Sequence, residues 1–353
     1  MTGTSSFRSS SGTHNNIEHS SMEEALADAF KVYMGLEVST PYRCFDYLST
    51  SPDHSPPDAY TNEYMDHIFS SLLSDPSAGP MTEVWRERIC EWCFQVVDHF
   101  DYSRELVGIA ISYLDRFLSK KKVNKKMNKK MFQLAAMTSL YLSIKLYASS
   151  PMKISTLIGL SRGFFQAAHI VDMEQSILRT LDWRMNPPTV MAAIRNFFKL
   201  IPLEVAPTAR NDCLELSRFV AELSVCDYYF NDKRPSHTAL ACILTAFEGQ
   251  THEHLPKQYR QKFVDQAFRI GKVNCTVQEV HDSRLKLREI YQNGQFHKQK
   301  NERSGGQSPS NVQNGNCNDG DEHSANDVGQ NMDSSHVMVS SSYVSDEPMD
   351  GCR

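Results

Sequence analysis

The chain has 353 residues, with 37 Lys+Arg against 42 Asp+Glu and a formal net charge of −5. That mildly acidic balance disfavours a general nucleic-acid binder, and no window approaches the ~18 consecutive apolar residues of a membrane span. Nine cysteines, an odd number scattered along the chain, do not read as a disulfide framework; with no apolar leader in MTGTSSFRSSSGTHNN, an intracellular protein with free thiols is expected.

Residues 1–20 are rich in Ser, Thr and Asn, and after Ile290 no Leu or Ile recurs. Neither end can bury enough apolar surface to offset chain entropy, so 1–20 and 296–353 are expected to be disordered tails. Residues 21–59 open with a short helix, where Ser21 and Glu24 form a capping-box pattern, and continue as the Pro/Ser-rich linker STPYRCFDYLSTSPDHSPPD. A first domain follows over 60–186, with a leading helix near 60–73 and further helices near 82–100, 103–119, 128–148, 153–159 and 164–183. The helix near 128–148 carries Leu134, Met137, Leu140, Tyr141 and Ile144 with little polar face left, as for a helix surrounded by others. Pro187-Pro188 marks the boundary to a second domain over 187–295, with helices near 189–200, 207–227, 235–248, 256–271 and 276–291. No stretch alternates apolar and polar residues long enough to build a sheet. The expected class is all-α: two tandem five-helix domains between disordered tails.

Charged residues stand among apolar ones in this pattern. Arg86 lies in WRERICEWCFQVV and Asp115 in YLDRFLS, each where the helix should face the core. A buried charge requires a partner, so the two are expected to form a structural ion pair. Lys145 ends the apolar AAMTSLYLSIK, and Glu174 falls in VDMEQSILRTLDW, one helical turn from Ile170 and Leu178. With Leu134 these residues are spaced by 29, 19, 11 and 29 positions.

The segments R-x5-W, YLDRFLS, QLAA…SIK and MEQSILRTLDW…PPT, in this order and spacing, resemble the cyclin box. The resemblance runs from about Met81 to Thr189 and more loosely to about Tyr291, and KKKVNKKMNKK over 120–130 is a longer loop than usual. It implies a two-box, non-catalytic regulatory subunit that binds a cyclin-dependent Ser/Thr kinase as a heterodimer, of the D or A/B cell-cycle kind, with TLDWRMNPPT closer to the D type. No catalytic residue, cofactor or metal is implied. Lys145 and Glu174 match the positions that contact the kinase's αC helix, and Leu142, Leu146, Ile177 and Leu178 are assigned to the apolar part of that face by helical proximity. The alternative for Lys145 and Glu174 is a purely internal ion pair. Kinase catalysis needs a strand lysine paired with an αC glutamate, and a rigid surface held against αC selects the state that has that pair. The resemblance also implies residence in the nucleus, with the cytoplasm as a second location.

Many cyclins dock substrates or inhibitors on an apolar patch that maps here to Trp85, Ile89, Trp92, Phe132 and Gln133. Arg88 replaces an apolar contact and Gln95 stands where an acid is frequent, so docking of an Arg-x-Leu peptide is expected to be degraded. Trp92 reads equally as a core aromatic. Leu146-Tyr147-Ala148 stands where the family has an aromatic and paired acids. No Leu-x-Cys-x-Glu and no N-terminal Arg-x-x-Leu destruction motif is present. Thr40-Pro41, Ser51-Pro52, Ser55-Pro56 and Ser308-Pro309 are candidate proline-directed phosphorylation sites or plain turns.

Competing signals remain. The lysine run over 120–130 reads as a solvated loop, a nuclear-import signal or a phosphate contact, and it lacks the interleaved aromatics of a stacking surface. Gly159-Leu160-Ser161-Arg162-Gly163 matches a nucleophile elbow, which would make an α/β hydrolase with Asp182 and His237 or His281, or else a plain turn between helices. Cys90/Cys93 and His252/His254 lack the second half of a zinc site. A transcription-type cyclin, whose kinase acts on the transcription machinery, is the runner-up, and a DNA-binding general transcription factor of the same fold is a third reading.

Overall fold

The structure, a computed structural model, describes residues 11–48, 82–120 and 129–304, with side chains over 22–48, 82–120 and 129–292. Among the described residues there are eleven α-helices, two 3-10 turns and no strand. They are α1 (Ser11–Val38), α2 (Glu83–His99), α3 (Glu105–Lys120), α4 (Lys129–Tyr147), α5 (Ile154–Leu160), α6 (Ala167–Thr180), α7 (Val190–Phe198), α8 (Pro207–Cys226), α9 (Pro235–Glu248), α10 (Lys257–Arg269) and α11 (Val277–Ser304). The 3-10 turns cover Thr40–Tyr42 and Tyr228–Phe230. The fold is all-α, with α2–α6 and α7–α11 forming two consecutive sets of five.

Each set has its own apolar core. In the first, Leu106, Leu114, Phe117, Leu134, Leu140, Met173 and Leu181 are buried together. In the second, Ile194, Phe197, Leu240, Ile243, Phe263 and Leu287 are. The third helix of each set is the enclosed one: α4 is buried over 134–140 and 142–144, and α9 over 236–243. Small residues such as Ala135, Ala136, Ala239 and Ala241 let neighbouring helices approach these two closely, while leucines fill the gaps, each fully buried leucine being worth about 1.5–3 kcal/mol. This shared centre is the structural form of the repetition that weak sequence similarity between the halves conceals.

Local chemistry sets several boundaries. Thr189 caps α7, its Oγ1 accepting from Ala192 N at 3.2 Å. Proline opens α8 and α9, where its missing N–H costs nothing. Two ends differ from expectation. Helix α1 starts at Ser11, ahead of the Ser21/Glu24 pattern and inside the stretch expected to lack structure, and α11 runs past Tyr291 to Ser304. No proline interrupts either extension. The leading helix near 60–73, residues 121–128 of the lysine run, and Ser51, Ser55 and Ser308 lie outside the described residues.

The segment after α1's start forms a strap across both boxes. Phe30 stacks on Phe197 with ring centroids 5.1 Å apart, and Tyr33 Oη donates to Thr189 O at 2.8 Å. The buried Glu37 carboxylate accepts from Ser236 N at 3.0 Å and Ser236 Oγ at 2.6 Å in the first turn of α9. Burial pushes the Glu37 carboxyl up, against those two hydrogen bonds and the nearby Arg234. The chain then reaches the first box, where Arg116 Nε donates to Pro41 O at 3.0 Å and Phe45 N donates to Ser119 Oγ at 3.1 Å.

Candidate functional site

Two ionic features were read from the sequence, and the fold gives them different settings. Arg86, in the first turn of α2, and Asp115, on α3, are both buried. Arg86 Nε donates to Asp115 Oδ1 at 3.0 Å and Nη2 to Oδ2 at 2.7 Å, a bidentate pair. Arg86 Nη1 donates to the carbonyls of Val225, at 3.0 Å, and Cys226, at 2.9 Å. These are the last carbonyls of α8, which have no partner within their own helix. Tyr47 Oη donates to the same carboxylate at 2.6 Å, and Tyr47 N donates to Tyr228 Oη at 2.9 Å. Burial opposes the charge on Arg86, yet the Asp115 carboxylate overcomes it and holds the guanidinium's pKa above its usual value. One arginine therefore joins α3, the end of α8 and, through Asp115, the strap.

Lys145 and Glu174 form the second pair. Lys145 Nζ lies 2.7 Å from Glu174 Oε1, linking the last turn of α4 to α6, and the lysine is half exposed. The hydrogen bond to Glu174 raises the Lys145 pKa against a smaller opposing effect of burial. The Tyr141 ring lies 5.8 Å from the ammonium. The lysine thus stands at the surface and the more enclosed glutamate beneath it, on two helices whose other faces form the core.

The apolar residues assigned to this surface divide. Leu146 is 49% exposed and Leu178 is partly buried, but Leu142 is 1% and Ile177 0% exposed, both within the first core. Leu142 and Ile177 are therefore corrected from contact residues to core residues. A three-residue step along a helix turns the side chain by about 60°, and on these enclosed helices that turn carries both inward. The step in the other direction from Glu174 brings Val171 to the surface instead, and at the end of α4 Tyr147 is also exposed.

The docking patch changes likewise. Phe132 is buried in the first core and cannot touch a peptide, whereas Trp85, Ile89, Trp92 and Gln133 are partly buried. Lys129 Nζ lies 4.4 Å from the Trp85 ring centre and the Arg88 guanidinium 5.9 Å, so cations cover the indole. Ser161 is no elbow nucleophile. It ends α5 beside Arg162 and Gly163, both at positive φ, and its Oγ donates to Ile158 O at 2.7 Å while accepting from Phe165 N at 3.2 Å. The hydroxyl closes a helix–helix turn, which overturns the hydrolase reading. Among the described residues no group of three or more His, Cys, Asp or Glu side chains is placed to hold a metal, and no helix is long and apolar enough to cross a membrane.

Two features escaped the sequence. Tyr47 lies in a stretch read as linker, and its partners Asp115 and Tyr228 are 68 and 181 residues away, so only the buried charge hinted at a further donor. Trp183, 71% exposed and at positive φ just after α6, sits within a motif that looks like core.

Residues 61–186 match the family model described as "Cyclin, N-terminal domain". Cyclin-B2-1 of Oryza sativa subsp. japonica is 29% identical over 185 residues, covering 52% of this chain and 41% of its own. Cyclin-O protein B of Xenopus laevis is 26% identical over 242 residues, covering 65% and 64%. In both cases the match spans less than two thirds of the relative's own length. A solved viral cyclin from herpesvirus saimiri aligns over 64% of this chain and 95% of its own, with a TM-score of 0.47 and 16% identity. The matched segment contains Arg86, Asp115, Lys145 and Glu174, and over residues 61–186 the chain is similar to the N-terminal domain of cyclins.

Proposed function

We propose that this chain binds and activates a cyclin-dependent Ser/Thr protein kinase, as its non-catalytic regulatory subunit, in cell-cycle progression in the nucleus. Cyclins as a family are non-catalytic regulatory subunits. The observation that carries the reading is the Lys145–Glu174 pair, 2.7 Å apart across α4 and α6 and half exposed at the lysine, with exposed Leu146 and Val171 beside them in sequence. The charges lie on helices anchored by fully buried faces, so they offer a kinase helix a surface that loses little side-chain freedom on binding. Pressed against αC, such a surface favours the inward state in which the kinase's lysine–glutamate pair forms.

The test is a pull-down from cell extract with the wild-type chain and the Lys145→Ala/Glu174→Ala variant, assayed for bound kinase and for phosphorylation of a Ser-Pro peptide. Kinase activity recovered with wild type and lost with the variant, at unchanged helicity, is the expected result. Equal recovery by both, or none by either, rejects the reading.

A further inference from the structure

The seam between the two boxes holds a thiol pair that the proposed function does not use. Cys90 lies on α2, one turn after Arg86, and is fully buried; Cys226 is the last residue of α8 and is partly buried. The Cys226 thiol donates to the Cys90 sulfur at 3.2 Å. A disulfide needs ~2.05 Å between the sulfurs, so closure asks for a movement of about 1.2 Å. Arg86 binds the carbonyl of Cys226 at 2.9 Å, which fixes the end of α8 on α2 and holds the two sulfurs in contact. Cys93, one turn further along α2, is buried as well.

We propose that Cys90 and Cys226 are a redox-sensitive modification site, closed by a peroxide into a disulfide that staples the first cyclin box to the second. The more accessible Cys226 sulfur attacks the peroxide; the O–O bond breaks, sulfenic acid forms and water leaves. The Cys90 sulfur then attacks the Cys226 sulfur, the S–O bond breaks, and the hydroxide that leaves takes up the Cys90 proton as a second water. Two thiols lose two electrons and two protons, and one hydrogen peroxide becomes two waters. Burial pushes the Cys90 thiol up, with the Arg86 guanidinium acting weakly against it. Cys90 is thus the resolving partner, and closure is slow compared with oxidation of an exposed thiol.

The experiment treats the full chain with hydrogen peroxide, blocks remaining thiols, and maps disulfide-linked peptides, with Cys90→Ser, Cys226→Ser and Cys93→Ser variants in parallel. The expected result is a Cys90–Cys226 link in wild type and in Cys93→Ser, absent from the other two. Since the bond closes a long loop, the oxidised wild type should melt roughly 5–10 °C higher than after dithiothreitol, with no such gain in Cys226→Ser. A dominant Cys93–Cys226 link, over-oxidation of Cys226 without a link, or a link formed only in urea overturns the proposal. Cys226→Ser replaces a partly exposed side chain, so it keeps the test open should Cys90→Ser fail to fold.

Discussion

Arg86 and Asp115 lie 29 residues apart and meet through two hydrogen bonds where neither is open to solvent. Removing one partner leaves the other's charge buried and uncompensated. Asp115→Asn and Arg86→Ala are each expected to destabilise the chain by about 3–5 kcal/mol in urea denaturation. Removing both as Arg86→Met/Asp115→Leu should recover part of that. It should still leave a deficit of about 1–3 kcal/mol, because the carbonyls of Val225 and Cys226 then lose their donor. Full recovery by the double variant would show that capping of α8 contributes nothing.

Leu142 and Leu146 are one turn apart on α4 with opposite surroundings. Leu142→Ala should cost about 2–5 kcal/mol through the cavity it leaves. Leu146→Ala should stay within ~0.5 kcal/mol in stability while weakening kinase capture at least several-fold. Denaturation curves and quantified pull-downs on the two variants separate the core role from the surface role.

The Lys145–Glu174 pair is partly exposed, and exposed ion pairs contribute about 0–1 kcal/mol. The double alanine variant should therefore melt within ~3 °C of wild type by circular dichroism. A much larger drop would mean that the pair acts chiefly within the fold.

His237 gives the chain a pH dependence near neutrality. Its imidazole is buried in the first turn of α9 with Nε2 unpartnered, and burial, helped by Arg234 and opposed by Glu279, lowers its pKa from the usual 6.5. In the unfolded chain the histidine keeps its ordinary value and takes up its proton first. Its contribution to stability is thus full above pH 6.5 and declines as pH falls from there through the lower folded value. Urea midpoints measured from pH 7.5 to 5.5 should fall in wild type, with a shallower slope in His237→Gln.

The helices were legible because their apolar periodicity is strong: all ten helices expected from residue 82 onward form, and all but α11, which runs on to Ser304, keep within a few residues of their expected bounds. Helical proximity failed at Leu142, Ile177 and Phe132, because spacing along one helix does not tell how many other helices enclose it. The strap was invisible for another reason. Tyr47 and Glu37 take partners from residues more than 60 positions away, and no local pattern encodes such a meeting. Lys145 and Glu174 were found through family resemblance; their charges alone also fit an internal pair.

Glu37 hydrogen-bonds Ser236, 199 residues later in the chain. During synthesis at about 5–20 residues per second, the strap leaves the ribosome ahead of Ser236 and then waits ten seconds or more for the surface it fits. The first box can gather its core in that interval, but Phe30, Tyr33 and Glu37 have no seat until α7 and α9 exist. A segment translated ahead of both boxes is thus among the last to settle, and a nascent chain stalled before Ser236 would present Phe30 and Tyr33 to chaperones and proteases.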